Sequence, residues 1–175
     1  GDGSFAKLTT NAIVRDIVQN SITGSWADYD RDGFLDYFVA NANNVKNFLY
    51  RGNGDGTFVK ITTGVVANDI ADAEAGGWAD YDNDGWPDLF VANWRGTKNF
   101  LYHNNQDGTF SRQTSGTAGS IATDSINATG CAWADYDNDG FLDLFVTGLG
   151  QPGLLYHNNG NGTFTRVTDS AAGSL

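Results

Sequence analysis

The sequence predicts an all-β protein built from three tandem four-stranded antiparallel units. Three observations predict it. Two aromatic markers recur with one period, each period holds four short apolar or aromatic runs, and each period carries one Asp-rich nonapeptide. Trp26, Trp78 and Trp133 each open a Trp-Ala-Asp-Tyr-Asp string, at intervals of 52 and 55 residues. Phe5, Phe58, Phe110 and Phe164 each close a Gly-Thr-Phe or Gly-Ser-Phe string, at intervals of 53, 52 and 54. Two independent markers that keep the same spacing define a repeat.

The first strand of each unit carries the Trp and is expected over Gly24 to Asp28, Gly76 to Asp80 and Cys131 to Asp135. After the Asp-rich loop comes an aromatic, apolar second strand: Tyr37 to Asn41, Leu89 to Asn93 and Leu144 to Thr147. The third is expected at Asn47 to Tyr50, Asn99 to Tyr102 and Gly153 to Tyr156, and the fourth at runs such as Gly56 to Ile61. Short β-branched and aromatic runs bounded by Gly, Asn and Asp are what strands and tight turns require. Between the third and fourth strands, Asn53-Gly54-Asp55-Gly56, Gln106-Asp107-Gly108 and Gly160-Asn161-Gly162 read as hairpin turns in which Gly supplies positive φ. One acid per turn is too few for a second metal site. A stretch of about 15 residues, such as Thr62 to Gly76, joins successive units and reads as a structured loop of poor helical periodicity.

The resulting division is 1–23 as the end of a preceding repeat plus a linker, then repeats at 24–75, 76–130 and 131–175. Four strands in some 50 residues, repeated, is the pattern of β-propeller-type blades, which gain core by stacking on their neighbours. The Trp and Phe of strands one and two are the expected packing residues. Three blades are too few to close a ring, and residues 1–5 supply a surplus fourth strand. The expectation is an arc of a larger propeller or the subunit of a fibre, associating head to tail.

Composition narrows the function. A net charge of −11 argues against a nucleic-acid partner. No apolar run is long enough to span a membrane. The opening Gly1-Asp2-Gly3-Ser4-Phe5 has neither the basic start nor the apolar stretch of a signal peptide, so such a leader is expected to have been removed or to lie upstream. Of 21 acidic residues 20 are Asp, and twelve of these crowd into three nine-residue loops. Solubility alone does not require short side chains so clustered; ligation of a cation by a tight loop does.

Those loops run Asp28-Tyr29-Asp30-Arg31-Asp32-Gly33-Phe34-Leu35-Asp36, Asp80-Tyr81-Asp82-Asn83-Asp84-Gly85-Trp86-Pro87-Asp88 and Asp135-Tyr136-Asp137-Asn138-Asp139-Gly140-Phe141-Leu142-Asp143. All fit Asp-x-Asp-x-Asp-Gly-x-x-Asp. Alternate carboxylates turn to one side, the Gly permits the sharp turn, and the last Asp returns to the ion. The expected ligands are therefore the carboxylates of Asp28, Asp30, Asp32 and Asp36, of Asp80, Asp82, Asp84 and Asp88, and of Asp135, Asp137, Asp139 and Asp143, with the carbonyls of Phe34, Trp86 and Phe141. An all-oxygen shell of this size suits Ca²⁺, one ion per repeat, better than Mg²⁺. An EF-hand needs a Glu at the twelfth position and flanking helices, whereas Val39, Val91 and Val146 stand there between strands. Asp acting only as a turn former would leave four carboxylates in nine residues without a counter-ion, three times over.

These loops, followed by Tyr37-Phe38-Val39-Ala40-Asn41 or Leu89-Phe90-Val91-Ala92-Asn93 and by Leu101-Tyr102-His103-Asn104-Asn105-Gln106-Asp107-Gly108-Thr109-Phe110, resemble FG-GAP/VCBS repeats over almost the whole chain. The resemblance implies propeller blades like those of integrin α-subunits, calcium at the aligned positions, and extracellular work in adhesion, glycan binding or scaffolding. A few such proteins are lyases or lipases, so the family alone does not fix the role. The reading reached is an extracellular, Ca²⁺-stabilised, non-catalytic module that self-associates, structural or adhesive in role. The alternatives are a lectin-type propeller and the non-catalytic part of a larger secreted enzyme.

Other residues read more plainly. His103 and His157 sit where the first unit has Arg51, which argues for surface positions and against metal ligation. Cys131 is the sole cysteine, aligned with Ser25 and Gly77 and expected to be a buried inert thiol. Asn127 and Asn161 head glycosylation sequons. Trp86 is expected to pack, as Phe34 and Phe141 do, while Trp94 is the better candidate for an exposed sugar-stacking ring. No nucleophile-base pair, phosphate-cradling Gly loop or zinc spacing suggests an enzyme.

Overall fold

The computed structural model describes residues 4, 7, 9–16 and 20–168. The surplus strand expected to end at Phe5 lies outside them. Within them the chain forms three four-stranded antiparallel sheets, each with its strands in sequence order from one edge to the other. The first strands are Ser21–Ala27, Ala73–Ala79 and Ala128–Ala134, and the second are Asp36–Asn41, Asp88–Asn93 and Asp143–Gly148. The third are Phe48–Gly52, Phe100–Asn104 and Leu154–Asn158, and the fourth are Phe58–Ile61, Phe110–Arg112 and Phe164–Arg166.

The first strands begin about three residues earlier than expected, past an irregularity in the ladder that each unit repeats. The ladders also correct one alignment. Cys131 faces Val146 as Gly24 faces Val39 and Gly76 faces Val91, so its counterparts are Gly24 and Gly76 rather than Ser25 and Gly77. The site is nonetheless cramped, because a Cβ built on Gly77 would lie 2.7 Å from Cys131 Sγ. Burial pushes that thiol up to about 12, which leaves it protonated and inert.

The linkers hold more order than their sequence suggests. Ala12–Arg15, Val65–Asn68 and Ser115–Ala118 are single helical turns, and Ile70–Ala71 pairs with Val45–Lys46 of the preceding unit. Each linker carries an Asp that accepts a hydrogen bond from the third-strand tyrosine and pairs with a basic residue on the fourth strand. The sets are Asp16 with Tyr50 and Lys60, Asp69 with Tyr102 and Arg112, and Asp124 with Tyr156 and Arg166. Lys60 and Arg112 also lie over the rings of Phe48 and Phe100.

The core lies between the sheets. Tyr29, from the loop of unit one, enters unit two at ring distances of 6.2 Å from Trp78 and 5.4 Å from Phe110. Tyr81 repeats the move into unit three, 5.6 Å from Phe164. Phe38 and Phe90 meet the next unit's Trp78 and Trp133 edge-on. In each acceptor an Asn clamps the incoming backbone: Asn104 Nδ2 donates to the Tyr29 carbonyl at 2.8 Å, and Asn158 Nδ2 to that of Tyr81 at 2.7 Å. Burial follows the stacking. Tyr29 and Tyr81 are 2 % and 3 % exposed and Phe38 and Phe90 wholly buried, while Phe145 on the outer face of unit three is 44 % exposed and Trp26 on that of unit one 51 %.

A test contrasts two equivalent tyrosines. Tyr81→Ala should lower unfolding free energy by about 3 kcal/mol, the cost of emptying a large aromatic site. Tyr136→Ala, whose ring enters no neighbouring sheet among the described residues, should cost less than about 1 kcal/mol. Urea titrations of both variants decide it, and equal losses would refute the stacking direction.

Candidate metal centres

Each Asp-rich loop joins the first strand of its unit to the second, so the ladder Trp–Tyr or Trp–Leu pairs at its mouth hold its two ends together. The turn is made by two consecutive excursions to positive φ. Arg31, Asn83 and Asn138 lie near +55 to +59°, and Gly33, Gly85 and Gly140 near +90°. Asn tolerates the first conformation and Gly alone is easy in the second. The sequence announced the Gly; the left-handed residue two positions earlier was not foreseen.

Backbone N–H groups then fix the carboxylates. Asp28, Asp80 and Asp135 accept from the N–H of Gly33, Gly85 and Gly140 at 2.9–3.0 Å. Asp32, Asp84 and Asp139 accept from Phe34, Trp86 and Phe141 at 2.8–2.9 Å. The ninth-position Asp of each loop is the most constrained. Asp36, Asp88 and Asp143 are buried, take the N–H of Tyr29, Tyr81 and Tyr136 on one oxygen, and take that of Gly52, Asn104 and Asn158 on the other. Each of them therefore binds its loop to the end of the third strand.

The result is convergence. Ligand atoms of Asp28, Asp30 and Asp32 lie within 4.8 Å of one another, as do those of Asp80, Asp82 and Asp88 and those of Asp135, Asp137 and Asp143. Asp84 and Asp139 join through groups that also contain His103 and His157. Asp36 is outside the unit-one group and serves there as the tie to Gly52. Of Phe34, Trp86 and Phe141 the hydrogen bonds fix the N–H side. Trp86 is half-buried beneath Arg31, and Trp94 is half-buried too rather than a free-standing ring.

The two histidines correct the surface assignment. His103 Nδ1 is buried, 3.1 Å from Asp82 Oδ2 and 3.3 Å from Asp88 Oδ1. His157 Nδ1 is buried likewise, 3.2 Å from Asp137 and 3.4 Å from Asp143. In unit one Arg51 Nε stands 3.9 Å from Asp30. Shared position with an Arg had suggested bulk solvent, yet all three side chains face the carboxylates.

The electrostatics show what the loops are suited to hold. Burial raises Asp36 to about 6 and Asp88 to about 8, against the pull of the backbone N–H donors and with the neighbouring carboxylates adding to the rise. Asp30, Asp82 and Asp143 are raised for the same first reason. Asp28 Oδ1 is buried with no hydrogen-bond partner. Desolvated, mutually repelling carboxylates are what a divalent cation stabilises, and an oxygen-rich donor set of this kind fits a hard ion. The loops fit the cation expected of them.

A sequence profile of the FG-GAP-like repeat matches residues 28–91, 80–146 and 135–174. The chain belongs to the FG-GAP-like repeat family. Among curated proteins it is similar to cartilage acidic protein 1 of Xenopus tropicalis, 30 % identical over 119 residues. That match takes in 67 % of this chain but 18 % of the relative, so the chain spans less than a fifth of that protein's length. Among solved structures it resembles a lectin of Agrocybe aegerita, described for its specific recognition of non-reducing terminal N-acetylglucosamine. The identity is 26 % and the TM-score 0.47, covering 80 % of this chain and 36 % of that one.

The raised carboxylates set a pH test. Their folded pKa values exceed the unfolded value of about 3.9. The folded chain therefore holds more protons between about pH 4 and 8, and its stability falls as pH rises through that window. With divalent cations chelated, the urea midpoint should be higher at pH 5 than at pH 8. A midpoint that rises with pH would show the cluster is not strained by its own charge.

Proposed function

We propose that this chain is a non-catalytic, extracellular structural and adhesive module in which each of the three loops holds one Ca²⁺ ion and whose copies associate with one another. The observation that carries the reading is the convergence of aspartate oxygens in three equivalently built loops, without basic residues sufficient to balance them. The ligands in this reading are the four aspartates of each loop with the carbonyls of Phe34, Trp86 and Phe141. The ion supplies positive charge to a buried anionic cluster. The chain's own part is to hold the oxygens ready, through the N–H groups of Gly33, Gly85, Gly140 and their neighbours. Three such ions would bring the formal charge from −11 to −5.

Membership of the repeat family and the kinship with cartilage acidic protein 1 support an extracellular location, and no helix among the described residues is long and apolar enough to cross a membrane. A structural role is supported by where the acids point: they are held by backbone donors around one spot rather than paired with a nucleophile. Self-association is supported by exposed aromatic rings on the described sheets, Trp26 of unit one and Phe145 of unit three.

Calorimetry should detect three Ca²⁺ ions per chain, and melts with excess Ca²⁺ should exceed those with EGTA by about 5 °C or more. Asp82→Asn, which removes one ligand charge from the second loop, should reduce the count to two. Superimposable melts together with no heat of binding would overturn the calcium reading. Sedimentation at rising concentration tests the other half, and a constant monomer mass at millimolar protein would remove self-association.

A further inference from the structure

We infer that the three cation sites are of two kinds: those of units two and three carry an imidazole nitrogen donor, His103 or His157, and accept nitrogen-preferring divalent ions such as Zn²⁺, whereas the site of unit one does not. This rests on the loop reading proposed above and goes past it, because the nonapeptide alone makes the three sites alike. In units two and three the Nδ1 atom stands 3.1–3.4 Å from two carboxylate oxygens of the cluster, one at the third position of the loop and one at the ninth. Both nitrogens are buried, and neither makes a hydrogen bond. Short approach without hydrogen-bond alignment is the relation between two donors that share an ion. Bonds of 2.0–2.1 Å place neighbouring donors on a metal roughly 3 Å apart, with each lone pair aimed at the metal rather than at the other donor.

The ring is also held in place. Tyr81 meets His103 edge-on at 6.3 Å, and Tyr136 meets His157 at 6.4 Å. Asp82, Asp84 and His103 have ligand atoms mutually within 4.8 Å, as do Asp137, Asp139 and His157. Two carboxylates and an imidazole suit zinc and its neighbours in the transition series, while oxygen alone suits calcium. In unit one the same place on the third strand holds Arg51, a permanent cation 3.9 Å from Asp30. It donates no lone pair, so it offers that loop no nitrogen ligand.

The intact chain, stripped of metal, is titrated with Zn²⁺ and separately with Ca²⁺ by calorimetry. Two tight Zn²⁺ sites per chain are expected. His103→Gln and His157→Gln should each weaken one of them roughly 10- to 100-fold. Arg51→His should add a third tight Zn²⁺ site, a gain that misfolding would not mimic. Side-chain ¹⁵N spectra should show Nδ1, not Nε2, moving on addition of Zn²⁺. The inference is overturned if Zn²⁺ affinity in the double His→Gln variant stays within twofold of the parent, if the parent binds three equivalent Zn²⁺ ions, or if Nδ1 does not move. Absence of Ca²⁺ uptake by the parent would instead refute the calcium reading, so the two failures are distinguishable.

Discussion

The structure turns on a buried carboxylate, the Asp at the ninth position of each loop. Asp88 accepts one N–H from its own loop and another from the end of the third strand, and so ties loop to sheet within the unit. Asp36 and Asp143 make the same pair of bonds in their units. Two N–H donors lower the cost of burying a carboxylate but do not cancel it, and burial remains the larger influence on Asp88. Shortening the chain at this point or replacing it with an apolar side chain would leave two backbone donors unsatisfied. The residue is thus retained for structure as well as for any ion it touches.

A single unit of this fold has two sheet faces and too little chain to cover them. The second strand shows the consequence directly. In the middle unit every residue from Asp88 to Asn93 is buried, whereas in unit three Phe145 and Thr147 open to solvent on the face that no sheet among the described residues covers. Sequence and local structure are nearly the same in both; what differs is the presence of a next sheet. Stability in such an array is a property of junctions, and in each one a tyrosine and a phenylalanine of one unit meet the tryptophan, fourth-strand phenylalanine and asparagine clamp of the next.

Much of this was legible because the repeat exposes it. Near-equal spacing of Trp26, Trp78 and Trp133 marked the three four-stranded sheets, and alternating Asp with a Gly at the sixth position located the turns. The hairpin glycines were legible for the same reason, since Gly56, Gly108 and Gly162 all take positive φ. What escaped had no local pattern. The linker aspartates Asp16, Asp69 and Asp124 bond to tyrosines more than 30 residues away, a separation that no periodicity reports. A signal was nevertheless present, for each precedes the repeat Trp by nine or ten residues. His103 and His157 were misplaced by a substitution argument. Arg51 at the same position suggested solvent, but an anionic cluster attracts a guanidinium and an imidazole alike, so the exchange reflected a common charge environment rather than a common exposure.

The tyrosine at the second loop position connects these features. It lies between two of the loop's carboxylates, and its ring is the one that enters the neighbouring unit. Its carbonyl accepts from the neighbour's Asn, whose own N–H donates to the neighbour's buried Asp, which in turn accepts the N–H of the neighbour's loop tyrosine. The path therefore runs from Tyr29 through Asn104 and Asp88 to Tyr81, and then through Asn158 and Asp143 to Tyr136. Each loop is bonded to the next by buried hydrogen bonds rather than by solvent-exposed contacts, and Asn83 adds a direct bond to the Gly140 carbonyl. Loops joined in this way do not order independently: fixing the backbone of one fixes the acceptor that positions the next unit's Asn, and with it the carboxylate that Asn holds. The first unit breaks the pattern, since Gly52 stands where Asn104 and Asn158 stand in the other two, so its face has the aromatic socket of Trp26 and Phe58 but no amide to clamp an incoming carbonyl. The relay accordingly has a direction, running from the loop of unit one to that of unit three.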